Sequence, residues 1–337
     1  MGLGAFRYFL AFLVLASHLW TSMPYGFAAY AVWGFFMLSG FLMTYVLNTK
    51  YGFTTNGIKS YFYNRALRIY PLYWIAMAIS TVTLLQFSSF DFSLINPGFG
   101  FPDTITHWIG NLLLYPDYCF SNPVAVANAL RIEVAYYFLM PFFARNKYAA
   151  WSGLFIGAMI NIYLIYTIGG RTSDSFNERY ATFWPCMVSF SLGSLLFHYK
   201  NYFEKYSNVK YSIILWLING LLWYKWPGYP WREGLYYSLI SSAWVIISLY
   251  KKETNKIDAL LGDLSYPIYL LHSTIGIWLY GWFNERSFLF MLASFIVSQV
   301  VCYILVIVID KPLRKLKLGA TIGRLEKPTE ELTSQVS

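Results

Sequence analysis

Arg7 and His18 stand eleven residues apart in the largely apolar opening stretch MGLGAFRYFLAFLVLASHLW. Eleven residues at about 100° each close three helical turns with roughly 20° left over, so both side chains fall on one helix face, about 16 Å apart in rise. Ionisable groups inside such a stretch cost roughly 2.5–3.5 kcal/mol each on insertion scales, which asks for a purpose. A neutral imidazole, with a reference pKa of about 6.5, can take the proton of an attacking hydroxyl, and a guanidinium can hold an anion. Singly, a snorkelling Arg7 and an interfacial His18 beside Trp20 are the plain structural readings. Their shared face favours a cavity lined by both.

A second constellation lies in YFYNRALRIYPLYW, residues 61 to 74, where Arg65 and Arg68 are three apart. Pro71 is expected as the first residue of a helix, whose unpaired N–H groups would face the same region. Two guanidinium forks beside a helix N-terminus suit a phosphate; ordinary topogenic charge is the alternative. In WGFFMLSGFLM, Ser39 and Gly40 are small residues expected to allow close helix contact, and Ser39 lacks the strand–turn–helix setting of a hydrolase nucleophile. In NALRIEVAYYFLMPFF, Arg131 and Glu133 are two apart and cannot face each other, so Arg131 is expected to anchor the helix at the interface. Glu133 needs a cationic or hydrogen-bonding partner, in a structural or a catalytic role. In LLGDLSYPIYLLHSTIGIW, Asp263 is expected to cap a helix that Pro267 opens, and His272 is a core histidine or a proton relay.

The elements that must position these groups are membrane helices. The chain has 337 residues, 57% apolar and 21% aromatic, with 12% charged against about 25% for a soluble domain. Ten stretches approach the roughly 20 apolar residues of a span, near 3–22, 28–47, 71–88, 126–144, 149–168, 181–198, 211–226, 234–250, 264–282 and 287–309. The fold class expected is therefore all-α and polytopic. One long loop at 89–125 contains a short interfacial helix at Thr104 to Tyr115. With the N-terminus inside, the inner loops and tail carry eighteen Lys and Arg against five outside, which places both termini in the cytoplasm. Most of the net charge of +9 is then topology, not nucleic-acid binding. Cys119, Cys186 and Cys302 are too far apart for a metal spacing, and the first helix reads as retained rather than as a cleaved leader. The domain expected covers 1–318, followed by a polar tail at 319–337.

These stretches resemble the acyltransferase 3 family of integral membrane O-acyltransferases. The matching signatures run in the family's order: Arg and His eleven apart, GFFMLSGFLM, RALRIYPLYW, ALRIEVAYYFLMP, LGDLSYPIYLLH and IDKPLRK. One departure is visible, since the fourth signature normally opens with Trp and here has Asn128 or Ala129. The resemblance implies transfer of an acyl group, usually acetyl, from cytoplasmic acetyl-CoA to a carbohydrate hydroxyl of O-antigen, exopolysaccharide or cell wall, the acceptor being lipid-linked or at the surface. It implies a bacterial inner-membrane location and no permanently bound cofactor, with acetyl-CoA as substrate. It assigns His18 as the catalytic histidine, Glu133 as the acidic residue of the fourth signature, and Arg7, Arg65 and Arg68 as the arginines, which we expect to bind the donor. Ser39 and His272 are secondary candidates. Direct transfer and an acyl-histidine intermediate both remain open. Some relatives carry a fused extracytoplasmic domain, which this chain is expected to lack. The rival reading is a flippase of a lipid-linked sugar, disfavoured by the absence of a visible repeat; a membrane scaffold would leave Arg7, His18 and Glu133 without a purpose.

Overall fold

Polar residues at the ends of the apolar runs close helix termini. Thr54, Thr104, Asn146, Asn208, Asn255 and Ser287 each accept from a backbone N–H two or three residues on. Each satisfies one of the donors that a helix start leaves unpaired. The computed structural model describes residues 2–24, 26–116, 121–169, 173–226, 229, 233–252 and 254–319. Cys119, Arg171, Arg232 and the tail at 320–337 lie outside them.

In chain order the helices are α1 Leu3–Leu19, α2 Phe27–Val46, α3 Thr55–Gln86, α4 Ile105–Leu113, α5 Ala127–Arg145, α6 Lys147–Leu164 and α7 Ser173–Ala181. Then come α8 Phe183–His198, α9 Lys200–Phe203, α10 Val209–Lys225, α11 Leu235–Leu249, α12 Lys256–Phe283, α13 Phe288–Leu305 and α14 Lys311–Leu313. Short π turns extend α2, α6 and α13. Among the described residues there is no strand, only an isolated bridge between Phe99 and Asn122 in the long loop. A helix occupies part of each of the ten expected stretches, and α4 lies within the short helix expected at Thr104 to Tyr115. Among the described residues, four helices are long and apolar enough to cross a membrane by length and composition: Phe27–Tyr51, Thr55–Gln86, Lys147–Gly169 and Phe288–Leu316. Helices α1, α8 and α11 are apolar but shorter, with 17, 16 and 15 residues.

Two of the sequence expectations about prolines are corrected. Pro71 does not open a helix but lies inside α3, which begins sixteen residues earlier at the Thr54 cap. Pro267 likewise lies inside α12, whose cap is Asn255 rather than Asp263. A proline interrupts one intrahelical hydrogen bond, a loss that packed neighbouring helices tolerate in membrane proteins. Asp263 instead binds Arg314 at 2.6 Å. A third correction concerns Arg131, which does not extend outward but is buried. It is 2% exposed and donates to Asn111 Oδ1 at 2.8 Å and Asn122 Oδ1 at 2.6 Å, tying α5 to α4 and the long loop.

The helices that carry the site are packed by absent side chains. A Cβ on Gly40 would fall 2.3 Å from the Phe190 carbonyl oxygen, and one on Gly193 would fall 2.1 Å from that of Met37. The backbones of α2 and α8 therefore touch, as expected of Gly40. At the start of α1 a Cβ on Gly4 would lie 2.0 Å from the Asp258 carbonyl oxygen of α12. The Asp258 carboxylate accepts from the backbone N–H groups of Gly2, Gly4 and Ala5 at 2.6, 3.2 and 3.0 Å. At the far end Arg286 donates to the carbonyl of His18 at 3.0 Å. Helix α1 is thus fixed against α12 at one end and against the α12–α13 connection at the other, which sets its register.

Candidate functional site

Arg65 and Arg68 sit one turn apart on α3, and that turn is braced from two sides. Tyr61 donates to the Tyr137 carbonyl of α5 at 3.3 Å, and Tyr266 of α12 donates to the Ile69 carbonyl at 3.0 Å. Both arginines line a cavity of about 160 Å³ together with Arg7 of α1, Ser39 of α2, and Glu133 and Tyr137 of α5. The Glu133 carboxylate accepts from Ser39 at 2.5 Å and from Tyr137 at 2.8 Å, both on Oε1. Among the described residues, no hydrogen bond or ion pair closes on Arg7, Arg65 or Arg68, and Arg65 Nε is buried without an acceptor. Three guanidinium groups therefore share one carboxylate, already engaged by two hydroxyls. The site carries excess positive charge in a largely desolvated place, which is costly unless an anion completes it.

A smaller cavity of about 50 Å³ shares Arg7, Ser39 and Glu133 with the first and continues past Ser265, Tyr266 and Tyr269 of α12. These three α12 residues lie on one helix face with His272, one turn further on. Tyr269 is fixed by donation to the Val126 carbonyl at 2.9 Å, and its ring centroid is 6.5 Å from that of His272. Next comes His18. Its Nδ1 is 2.9 Å from His272 Nε2, and the two rings are nearly parallel, 8° apart.

The hydrogen-bond network assigns the protons of this pair. His272 Nδ1 is 3.1 Å from the Ile268 carbonyl oxygen, which can only accept. His272 Nδ1 therefore carries the proton, and in the neutral ring Nε2 is an acceptor. The proton between the rings then belongs to His18 Nδ1. This leaves the lone pair on His18 Nε2, the geometry a general base or a nucleophile requires. His272 is fully buried, whereas His18 keeps partial exposure.

Five of the seven candidate residues line one cavity, and the other two form a histidine pair. Arg7, Arg65, Arg68, Ser39 and Glu133 meet at that cavity, whereas His18 and His272 pair with each other beside Tyr269 and line neither cavity. Glu133 makes no hydrogen bond to His18 among the described residues. Because α3 is unbroken at Pro71, no helix N-terminus contributes there, and the positive charge comes from side chains alone. Sequence reasoning passed over Tyr137, Tyr266 and Tyr269. Tyr137 was legible as the i+4 neighbour of Glu133. Of the α12 tyrosines, Tyr266 needed a helix continuous through Pro267.

A family model described as an acyltransferase domain matches residues 2–307, a span that holds both histidines, all three arginines and Glu133. No curated protein and no solved structure matches the chain.

Proposed function

Since the chain belongs to the acyltransferase 3 family and is a membrane acyltransferase, we propose that it moves an acyl group, acetyl above all, from cytoplasmic acyl-CoA to a hydroxyl of a surface or lipid-linked carbohydrate at a bacterial inner membrane. One observation carries the reading: Arg7, Arg65 and Arg68 converge on a cavity whose lining has a single carboxylate. Guanidinium forks bind phosphate oxygens bidentately, and a CoA ester carries its phosphates at the end remote from the thioester. With the phosphates at the arginines, the narrow pantetheine arm follows the second cavity past Tyr266 and Tyr269 and brings the thioester towards His18.

There the acceptor hydroxyl oxygen attacks the thioester carbonyl carbon while His18 Nε2 takes its proton. The ester C–O bond forms and the C–S bond breaks. The departing thiolate recovers the proton from His18, releasing free CoA. Accepting from His18 Nδ1–H, His272 holds the imidazole in its working tautomer and stabilises the imidazolium that forms. Glu133 holds Ser39 and Tyr137 and offsets part of the arginine charge. The positive-inside distribution of Lys and Arg supports a cytoplasmic arginine rim with the long loop at 89–125 on the opposite side.

The test is mass spectrometry of surface polysaccharide from cells with the native gene, without it, and with His18→Ala. One acyl group per modified unit should be present only with the native gene. Normal acylation in His18→Ala cells would refute the role of His18.

A further inference from the structure

Beyond the last long helix the chain makes a tight descent back to the arginine rim. It passes through a π turn at Val306–Asp310, α14, and a 3-10 turn at Arg314–Leu316. Arg314 is held by two carboxylates, Asp310 within its own segment at 2.9 Å from Nε and Asp263 of α12 at 2.6 Å. The backbone is then clamped: Leu318 N–H donates to Asn64 Oδ1 at 2.9 Å, and Asn64 Nδ2 donates to the Leu318 carbonyl at 2.9 Å. The same amide donates to the Tyr51 hydroxyl at 2.9 Å. Asn64 is 1% exposed, so its loss would strand buried polar groups. Asn64 directly precedes Arg65, and Arg68 is one turn beyond. The clamp therefore holds this end of the chain beside the α3 turn that carries the two arginines.

We propose that Lys317, the residue before Leu318, is a fourth cation of the donor site, delivered by the Asn64–Leu318 clamp to bind the phosphates of the acyl-CoA. The proposal rests on the donor reading above. A lysine serving only as topogenic charge has no need of a clamp, because a loose tail would let its ammonium turn to water. Here the charged groups around it are Arg65 and Arg68 on α3 and Arg314 and Asp310 on its own segment. Asp310, like Asp263 of α12, is already engaged by Arg314. Holding a cation beside unpaired arginines is unfavourable until an anion arrives. Lys317 also lies outside the residues the family model matches, so membership does not supply it.

Burial, and after it the nearby Arg68, lower the Lys317 pKa to about 8. Without ligand, Lys317 therefore loses its proton as pH rises through about 8. Bound phosphates favour the protonated form, so donor binding should weaken as pH rises beyond 8 and should take up a proton there.

The test uses the full chain in lipid nanodiscs, with acetyl-CoA and S-acetylpantetheine, which lacks the nucleotide and its 3′-phosphate and pyrophosphate, as probes. Lys317→Gln should weaken acetyl-CoA binding about tenfold, leave S-acetylpantetheine binding unchanged, and flatten the affinity between pH 7.5 and 9. Lys317→Arg should retain most of the affinity. Asn64→Leu, which releases the clamp but keeps the lysine, should lose as much as Lys317→Gln. Wild-type protein that binds acetyl-CoA no better than Lys317→Gln, with the same pH profile, would overturn the proposal alone. Wild-type protein that binds no acetyl-CoA would overturn the donor site, and the proposal with it.

Discussion

Replacing His272 separates tautomer control from mere packing. His272 Nε2 accepts from His18 Nδ1 at 2.9 Å, and His272 is itself fixed by Ile268 at 3.1 Å. His272→Ala removes the acceptor and leaves His18 free to carry its proton on either nitrogen. During transfer His18 becomes an imidazolium, so the missing contact is a hydrogen bond from a charged donor, about 1.5–3 kcal/mol. At about 1.4 kcal/mol per factor of ten, the expected loss in kcat is roughly 10- to 150-fold. The KM for acetyl-CoA should change little, because the arginine cavity lies on the other side of Tyr266 and Tyr269. His272→Gln restores an acceptor oxygen and should recover kcat to within about tenfold of wild type. Steady-state release of free CoA by purified protein with a carbohydrate acceptor reads both constants, with thermal unfolding in detergent run in parallel. A normal kcat for a folded His272→Ala protein would refute the tautomer reasoning, as would equal losses in the Ala and Gln variants.

Reversing the charge at the rim, by Arg65→Glu or Arg68→Glu, should abolish measurable acetyl-CoA binding. Arg→Lys at either position should keep part of it, because the charge survives but the bidentate fork is lost; wild-type affinity in both Glu variants would leave the pair merely topogenic. Asp258→Asn keeps the shape of the α1 cap but removes its charge from three N–H groups, and should cost about 1–2 kcal/mol of stability. An unchanged unfolding temperature in detergent would show that α1 does not depend on that cap.

Much of the site was legible because the membrane makes ionisable groups conspicuous. Arg7, His18 and Glu133 stood out against apolar neighbours, and the three-residue spacing of Arg65 and Arg68 fixed their shared face. What misled was punctuation. Pro71 and Pro267 read as helix starts, yet strong caps at Thr54 and Asn255 begin each helix well before its proline. The second of these errors cut Ser265 and Tyr266 off from the helix that carries Tyr269 and His272. Asp258, Arg286 and Asn64 were illegible for another reason: each acts on backbone atoms more than 200 residues away, and a single sequence carries no periodicity for such contacts. Arg131 was misread as an outward-facing residue because its two shortest hydrogen bonds go to Asn111 and Asn122, outside its own helix.

The central claim is that donor and acceptor meet at His18 from opposite faces of the membrane. It is tested most directly in sealed vesicles of defined orientation, loaded with lipid-linked carbohydrate acceptor and given radiolabelled acetyl-CoA on one side at a time. Label should reach the acceptor only when donor is supplied on the face bearing Arg65 and Arg68, free CoA should appear on that same face, and His18→Ala should abolish both. Acceptor that crosses the membrane without acquiring label would identify a flippase, and acylation solely from donor on the opposite face would contradict the orientation on which the claim depends.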